Sequence, residues 1–449
     1  MSFGLRAPFQ FRAPFRLRSL LWPASGSAVF ALWILLFVVV LAAGGGLLWA
    51  ALSPLVDRSG APGLPQEDVS EGWKESGASN VTSKLAVRRP TSLLDTTSGS
   101  PGGAGSVQSV ELPQDVPMSA VGVLLTVEVH SARRQGAVRV SGWGEAATHL
   151  DARPVLHLAG KGAAVSQLVT LPLNAGDRAV RVIVESGGHL SIQLVGVFQP
   201  VSLTAEGRVV AVPSQHLLRL STLPGTGGTR KSATIRLAEH PVLPEAAASA
   251  VLLQVAARPG SQGARVEIES LGGQARQVLR WGRADRGQSE LGQGVALVPV
   301  AGDGQLSVEL LSGQTADVEL VGYVTGEQAA WSSSGLVMLA DTGLVTAEIA
   351  GDTTTAVDLS GVLPGKGAGV LGTLVAVSAT GQQPGEVTVF PSHSAQPASP
   401  VVGISRGTVW NGMVLLPLEG PRARAWVSGD RAAEVSLDVL WTLVGAVPG

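Results

Sequence analysis

The stretch AVGVLLTVEV at Ala120–Val129 decides how this chain is read, because it returns as ASAVLLQVAA at Ala248–Ala257 and GVLGTLVAVS at Gly369–Ser378. Each copy reads as a buried strand, rich in the aliphatic and β-branched residues that suit a pleated surface. The flanks recur in the same order. Pro117, Pro244 and Pro364 precede the run, and a Gly turn with an alternating strand follows it: GAVRVSG from Gly136, GARVEIES from Gly263, GEVTVF from Gly385. Next come QLVTLPL ending at Leu173, GVALVPV ending at Val300 and MVLLPL ending at Leu418. Short turns follow at Asn174, Ala301 and Glu419, then RAVRVIVES, GQLSVELLS and RARAWVS. The copies close on LSIQLVGVF, ADVELVGYV and VSLDVLWTLV.

The unit holds about eight short strands of period two, punctuated by Gly, Pro, Asn and Asp. Helical periodicity is essentially absent beyond residue 53. That pattern predicts an all-β chain of three tandem β-sandwich (jelly-roll-like) domains, over 84–204, 205–328 and 329–449. Each unit is long enough to bury its own core, unlike the small units of a solenoid. Whether the units touch one another is left open at this level.

Composition removes several function classes. The 449 residues contain no Cys, so disulfides, thiolate metal sites and Cys nucleophiles are excluded. Hydrophobic residues make up 45% and charged residues 15%, which argues against general disorder. A formal net charge of −2 offers no bulk attraction to nucleic acid.

Ahead of the repeats, Ala28–Leu52 reads AVFALWILLFVVVLAAGGGLLWAAL, 25 positions without a charge. A helix of about 20 such residues spans a bilayer core of roughly 30 Å. The run is longer than the apolar core of a cleaved signal peptide, so an uncleaved anchor is expected. Arg6, Arg12, Arg16 and Arg18 precede it without an acid, which places residues 1–27 in the cytoplasm and exports the C-terminal bulk. Residues 53–83 are rich in Pro, Gly, Ser and acids and read as a flexible linker. The expected location is the plasma membrane, single-pass, with the lipid bilayer as one partner and another envelope protein or a cell-wall polysaccharide as the other.

RPTSLLDT at Arg89–Thr96, the later VP-x-x-A-V-x-V-L-L-T-V run and the V-G-V-F step at Val195–Phe198 together resemble a β-rich repeat of secreted proteins from high-GC Gram-positive bacteria. There an L-L-D-T-R start and a V-D-V-x-G-Y end bracket a sandwich-like unit. With its anchor, the chain is similar to a functionally uncharacterised family of membrane-anchored envelope proteins of these bacteria. The 27 Arg against 5 Lys fit that source. The resemblance implies fold and compartment and no catalytic residue. Thr97 replaces the Arg of the motif, and Leu217–Arg219 and Leu339–Thr342 stand in its place in the second and third copies.

Candidate sites are few. GISRG at Gly403–Gly407 matches a nucleophile motif around Ser405, but a strand rather than a helix is predicted to follow. His149 and His157 share the first copy with Asp151, yet no histidines stand at metal-ligand spacing. PGKGAG at Pro364–Gly369 lacks the full phosphate-loop pattern, and the Gly-Asp turns near Asn174 and Ala301 are ordinary turn chemistry. Trp143, Trp281, Trp410 and Trp426 offer flat amphipathic rings to a saccharide, against the alternative of core packing. The reading is therefore a non-catalytic envelope protein with no cofactor, presenting three repeats for structural or protein–protein roles. A saccharide-binding accessory of an envelope glycan pathway is the alternative, and a hydrolase the remote one.

Overall fold

A computed structural model describes residues 81–449 except 100, 143–152, 159, 175, 202–203, 223–229, 244–247, 272–274, 283–290, 303, 330–334, 365–368, 398, 407–409, 419–422 and 446–449. Side chains at 153–154, 340–342 and 405–411 are also outside the description. The expected cytoplasmic tail, anchor and most of the linker, residues 1–80, lie outside the described residues. Among the described residues no helix is long and apolar enough to cross a membrane.

Among the described residues the chain forms 24 strands and one 3-10 turn at Leu237–Glu239. In the first repeat these are β1 Thr82–Asp95, β2 Ser106–Glu111, β3 Gly122–His130, β4 Gly136–Gly142, β5 Arg153–Leu158, β6 Val165–Pro172, β7 Ala179–Val184 and β8 His189–Pro200. The second contains β9 Val209–Ser221, β10 Lys231–Arg236, β11 Ala248–Arg258, β12 Ala264–Ser270, β13 Arg276–Trp281, β14 Gly292–Pro299, β15 Gln305–Ser312 and β16 Thr315–Thr325. The third contains β17 Leu336–Ile349, β18 Thr353–Asp358, β19 Val370–Gly381, β20 Gly385–Pro391, β21 Val402–Arg406, β22 Trp410–Pro417, β23 Arg424–Gly429 and β24 Ala433–Val444.

All three repeats share one strand order. One sheet runs β6-β3-β8-β1, repeated as β14-β11-β16-β9 and β22-β19-β24-β17. The other runs β5-β4-β7-β2, repeated as β13-β12-β15-β10 and β21-β20-β23-β18. This is the winding of a jelly roll, two Greek keys folded into facing four-stranded sheets.

Burial explains why the decisive stretch is almost continuously apolar. In β3, Val123, Leu125 and Val127 point into the core between the first repeat's own sheets. Leu124, between them, belongs to a different core. The same division separates Val251, Leu253 and Val255 from Leu252, and Val375 and Val377 from Leu374. A strand covered on both faces has no side that can be polar. The second core draws on all three repeats: Leu85, Leu124 and Phe198; Val209, Leu252 and Val324; Val337, Leu374 and Leu443. The repeats are thus joined through a common aliphatic centre within one compact unit, Trp73–Gly449. Backbone pairing adds to the join, since Thr82 and Ser83 of β1 pair with Met338 and Val337 of β17.

Sheet register also relocates one motif. Leu94 and Asp95 sit opposite Ile192 and Ser191 of β8, and the equivalent partners in the third repeat place Val345 and Thr346 there. Leu339–Thr342, which imitates the motif in sequence, instead falls at a break in the β17 ladder between Leu339 and Gly343. A bulge inserts unpaired residues and so displaces a sequence match from its structural position.

Candidate functional site

Residues named from sequence do not converge. Trp143, His149 and Asp151 lie outside the described residues. Trp281 is 4% exposed, packs against Gly292, and donates its indole N–H to the Gln293 carbonyl at 3.2 Å. It fills the second repeat's core and presents no face to solvent. Trp426 is half-buried on β23 and donates to the Ser392 carbonyl at 2.9 Å. The Trp410 backbone pairs with Ala379. Ser405 lies within strand β21, beside Thr380, and the next described residues form another strand. Among the described residues no helix follows Ser405, as a nucleophile elbow needs. Among the described residues no three His, Asp or Glu side chains group so as to hold a metal ion. The turn at Asn174 is closed by its own groups, with the Asn174 N–H donating to Asp177 Oδ2 at 3.0 Å.

What the fold does assemble is three junctions between repeats, comparable residue by residue. Register places His157, Arg280 and Gly403 at one equivalent position, opposite Ala137, Arg265 and Glu386. It places Glu128, Ala256 and Ser378 at another, opposite Ser191, Asp317 and Ser436.

Where the second repeat meets the first, the pair is Arg280 and Glu128, with Nε 3.1 Å from Oε1. The Arg280 amide donates to Ser166 Oγ at 3.1 Å, and Trp281 pairs with Val165. Burial pushes the Glu128 carboxyl above its ordinary value, while Arg280 and Arg265 pull the other way. The His130 ring stacks on His189 with centroids 5.1 Å apart. Burial, then the charges of Arg280 and His189, hold His130 below the ordinary histidine value against the opposing pull of Asp95.

Where the third repeat meets the second, the corresponding residues are Gly403 and Ala256, too small for such a bridge. Gln293 clamps this junction instead. Its Nε2 donates to the Met413 carbonyl at 2.7 Å and its Oε1 accepts from the Met413 amide at 2.8 Å. Arg258 and Glu386 add an ion pair at 2.8 Å.

Where the first repeat meets the third, the residues are His157 and Ser378, and a cleft of about 350 Å³ opens between the strands. Leu168, Met413 and Leu440 supply apolar wall; Gln167, Thr170 and Asp438 supply polar groups. His157 also borders a cavity of about 20 Å³ with Val165, Trp281, Gln293 and Val402, so it stands where all three repeats meet. Burial, aided by Arg139, lowers its pKa against the opposing pull of Glu185. Nothing in the repeat pattern marked this place. The signal that finds it is departure from the pattern at register-equivalent positions, which needs the strand pairing to be known.

No family model matches this chain, and no curated protein matches it. Among solved structures, the STIV MCP is 8% identical over 53% of this chain and 97% of its own, with a TM-score of 0.16. The major capsid protein P2 from bacteriophage PM2 is 11% identical over 55% and 100%, with a TM-score of 0.15. The PBSX exported protein XepA is 13% identical over 53% and 86%, with a TM-score of 0.17. Likenesses this slight carry no argument. The jelly-roll assignment rests on the strand order.

Proposed function

We propose that this chain is a non-catalytic, single-pass protein of the cell envelope. Residues 1–27 stay in the cytoplasm, 28–52 cross the plasma membrane, the linker that begins at 53 forms a stalk up to strand β1 at Thr82, and three β-sandwich domains are exported for structural or protein–protein contact. The observation that carries the reading is the three identical jelly-roll windings closed on a common aliphatic centre, a build devoted to a rigid body. A separate hydrophobic cluster within each winding supports counting three domains. The 25-residue uncharged run after four arginines supports the anchor and its orientation. A saccharide-binding role would rest on Trp143, Trp410 and Trp426, because Trp281 is enclosed in a core.

The chain has no Cys, so single cysteines report topology cleanly. In intact cells, a membrane-impermeant maleimide labels Gln383→Cys, an exposed turn position, and labels Ser2→Cys only after permeabilisation. The reverse pattern rejects the orientation. Hydrolysis of an ester, glycoside or peptide panel by the full chain, lost in Ser405→Ala, rejects the non-catalytic reading. Crosslinking in intact cells then identifies the partner.

A further inference from the structure

The cleft between the first and third repeats is built from exceptions to the repeat. Gln167 occupies the position of Gly294 and Gly412 in the sister repeats. Thr170 occupies the position of Leu297 and Leu415, both of which are buried in the common core. His157 and Ser378 stand where the first junction has Arg280 and Glu128, and the shorter pair leaves the space that the ion pair fills.

Two of these exceptions are unsatisfied. Gln167 is 2% exposed, and its Oε1, like Thr170 Oγ1, is buried with no hydrogen-bond partner. A buried polar atom without a partner is destabilising, and the Gly and Leu of the sister repeats avoid the cost. Both line the cleft. A hydroxyl brought in by a bound molecule would complete them.

The walls define the rest of the molecule. Leu168, Met413 and Leu440 form an aliphatic surface, continued at the rim by Leu344, which is 63% exposed. Among the described residues no Trp, Tyr or Phe lines the cleft. Asp438, with Ser378 and Ser436 nearby, places a carboxylate and two hydroxyls on one wall. The volume of about 350 Å³ falls within the range of small-molecule sites.

We propose that this cleft binds a small amphipathic molecule with a short aliphatic body and an uncharged, hydroxylated head. The site goes beyond the envelope reading and does not depend on it. The chain has only four Met, so methyl-labelled methionine gives a local reporter at Met413. The full chain, held in lipid nanodiscs, is titrated with hexyl β-glucoside, hexanoate or hexyltrimethylammonium. Hexyl glucoside shifts the Met413 methyl resonance saturably and leaves that of Met118, 59% exposed and not among the residues that line the cleft, in place. Hexanoate, whose ionised head has no donor, and hexyltrimethylammonium, whose head has no N–H or O–H, cannot complete the Gln167 acceptor and bind at least tenfold more weakly. Thr170→Leu, which installs the sister residue, loses the shift, and so does His157→Arg combined with Ser378→Glu, which rebuilds the ion pair of the first junction. Unmoved Met118 and Met338 resonances certify that each variant is folded. No shift at Met413, equal binding of either charged probe, or a shift that survives in both variants overturns the proposal.

Discussion

Trp441 shows how one residue breaks a threefold repeat. Register places it with Gly196 and Gly322, opposite Leu374, Leu124 and Leu252. A Cβ at Gly196 would stand 2.7 Å from Leu85 Cδ1, and one at Gly322 would stand 2.6 Å from Leu415 Cδ2. At this register position the common core admits a large ring from only one repeat, and Trp441, 1% exposed, supplies it. Trp441→Gly should therefore cost about 3–5 kcal/mol by denaturant unfolding, the range for emptying a core aromatic. Gly322→Ala should cost about 1–3 kcal/mol through overpacking, while Gly302→Ala, with open space around it, stays near neutral. Charge acts locally too. The hydrogen bond from Arg139 Nε to Glu185 Oε1, at 2.6 Å, holds that carboxyl below its ordinary value. Because the folded value is depressed, the stabilisation is present above the unfolded carboxyl value and is lost as pH falls through the folded one. Arg139→Gln should move the Glu185 titration, followed by carbon NMR, back up toward the ordinary carboxylate value.

Among elements, the central strands of each repeat were the legible part. Their near-unbroken aliphatic runs announced burial on both faces, and the Gly and Pro between them announced turns. The partner of the second face was not legible, since Leu124 and Val123 look alike as letters and differ only in which core they enter. The junctions differ in chemistry as well. Arg258–Glu386 is a partly exposed ion pair, whereas Leu415 lies in the common core. Arg258→Ala should change stability by less than about 1 kcal/mol, and Leu415→Ala should cost about 2–5 kcal/mol, both read from urea midpoints. The opposite ranking would mean that ion pairs, not aliphatic burial, join the repeats. Of the cleft-lining residues, His157 is singled out by sequence only as a possible metal ligand, and Gln167, Thr170 and Ser378 escape notice because Gln, Thr and Ser are unremarkable in a strand until register shows what their sister positions hold.

For the whole molecule, a shared core predicts shared unfolding. Each repeat has its own cluster, but the fourth cluster loses part of its wall if any one repeat opens. Calorimetry of the full chain should show the repeats melting together, and Leu415→Ala should lower the melting point of the first repeat as much as that of the third, each followed by a probe within it. Separate transitions would show that the common centre contributes little.

The sequence by itself determined the all-β class, the threefold repetition and about eight strands in each copy, because period-two patterning and turn residues are local signals. It also carried the anchor reading, which depends only on length and charge. Tertiary structure alone decided that the three windings close on one centre, that Trp281 is core, that a motif match at Leu339–Thr342 is displaced by a bulge, and that a cleft opens where the first repeat meets the third. The physical reason is common to all four. Each depends on which residues far apart in the chain are brought face to face, and period-two alternation says that a side chain is covered without saying by what.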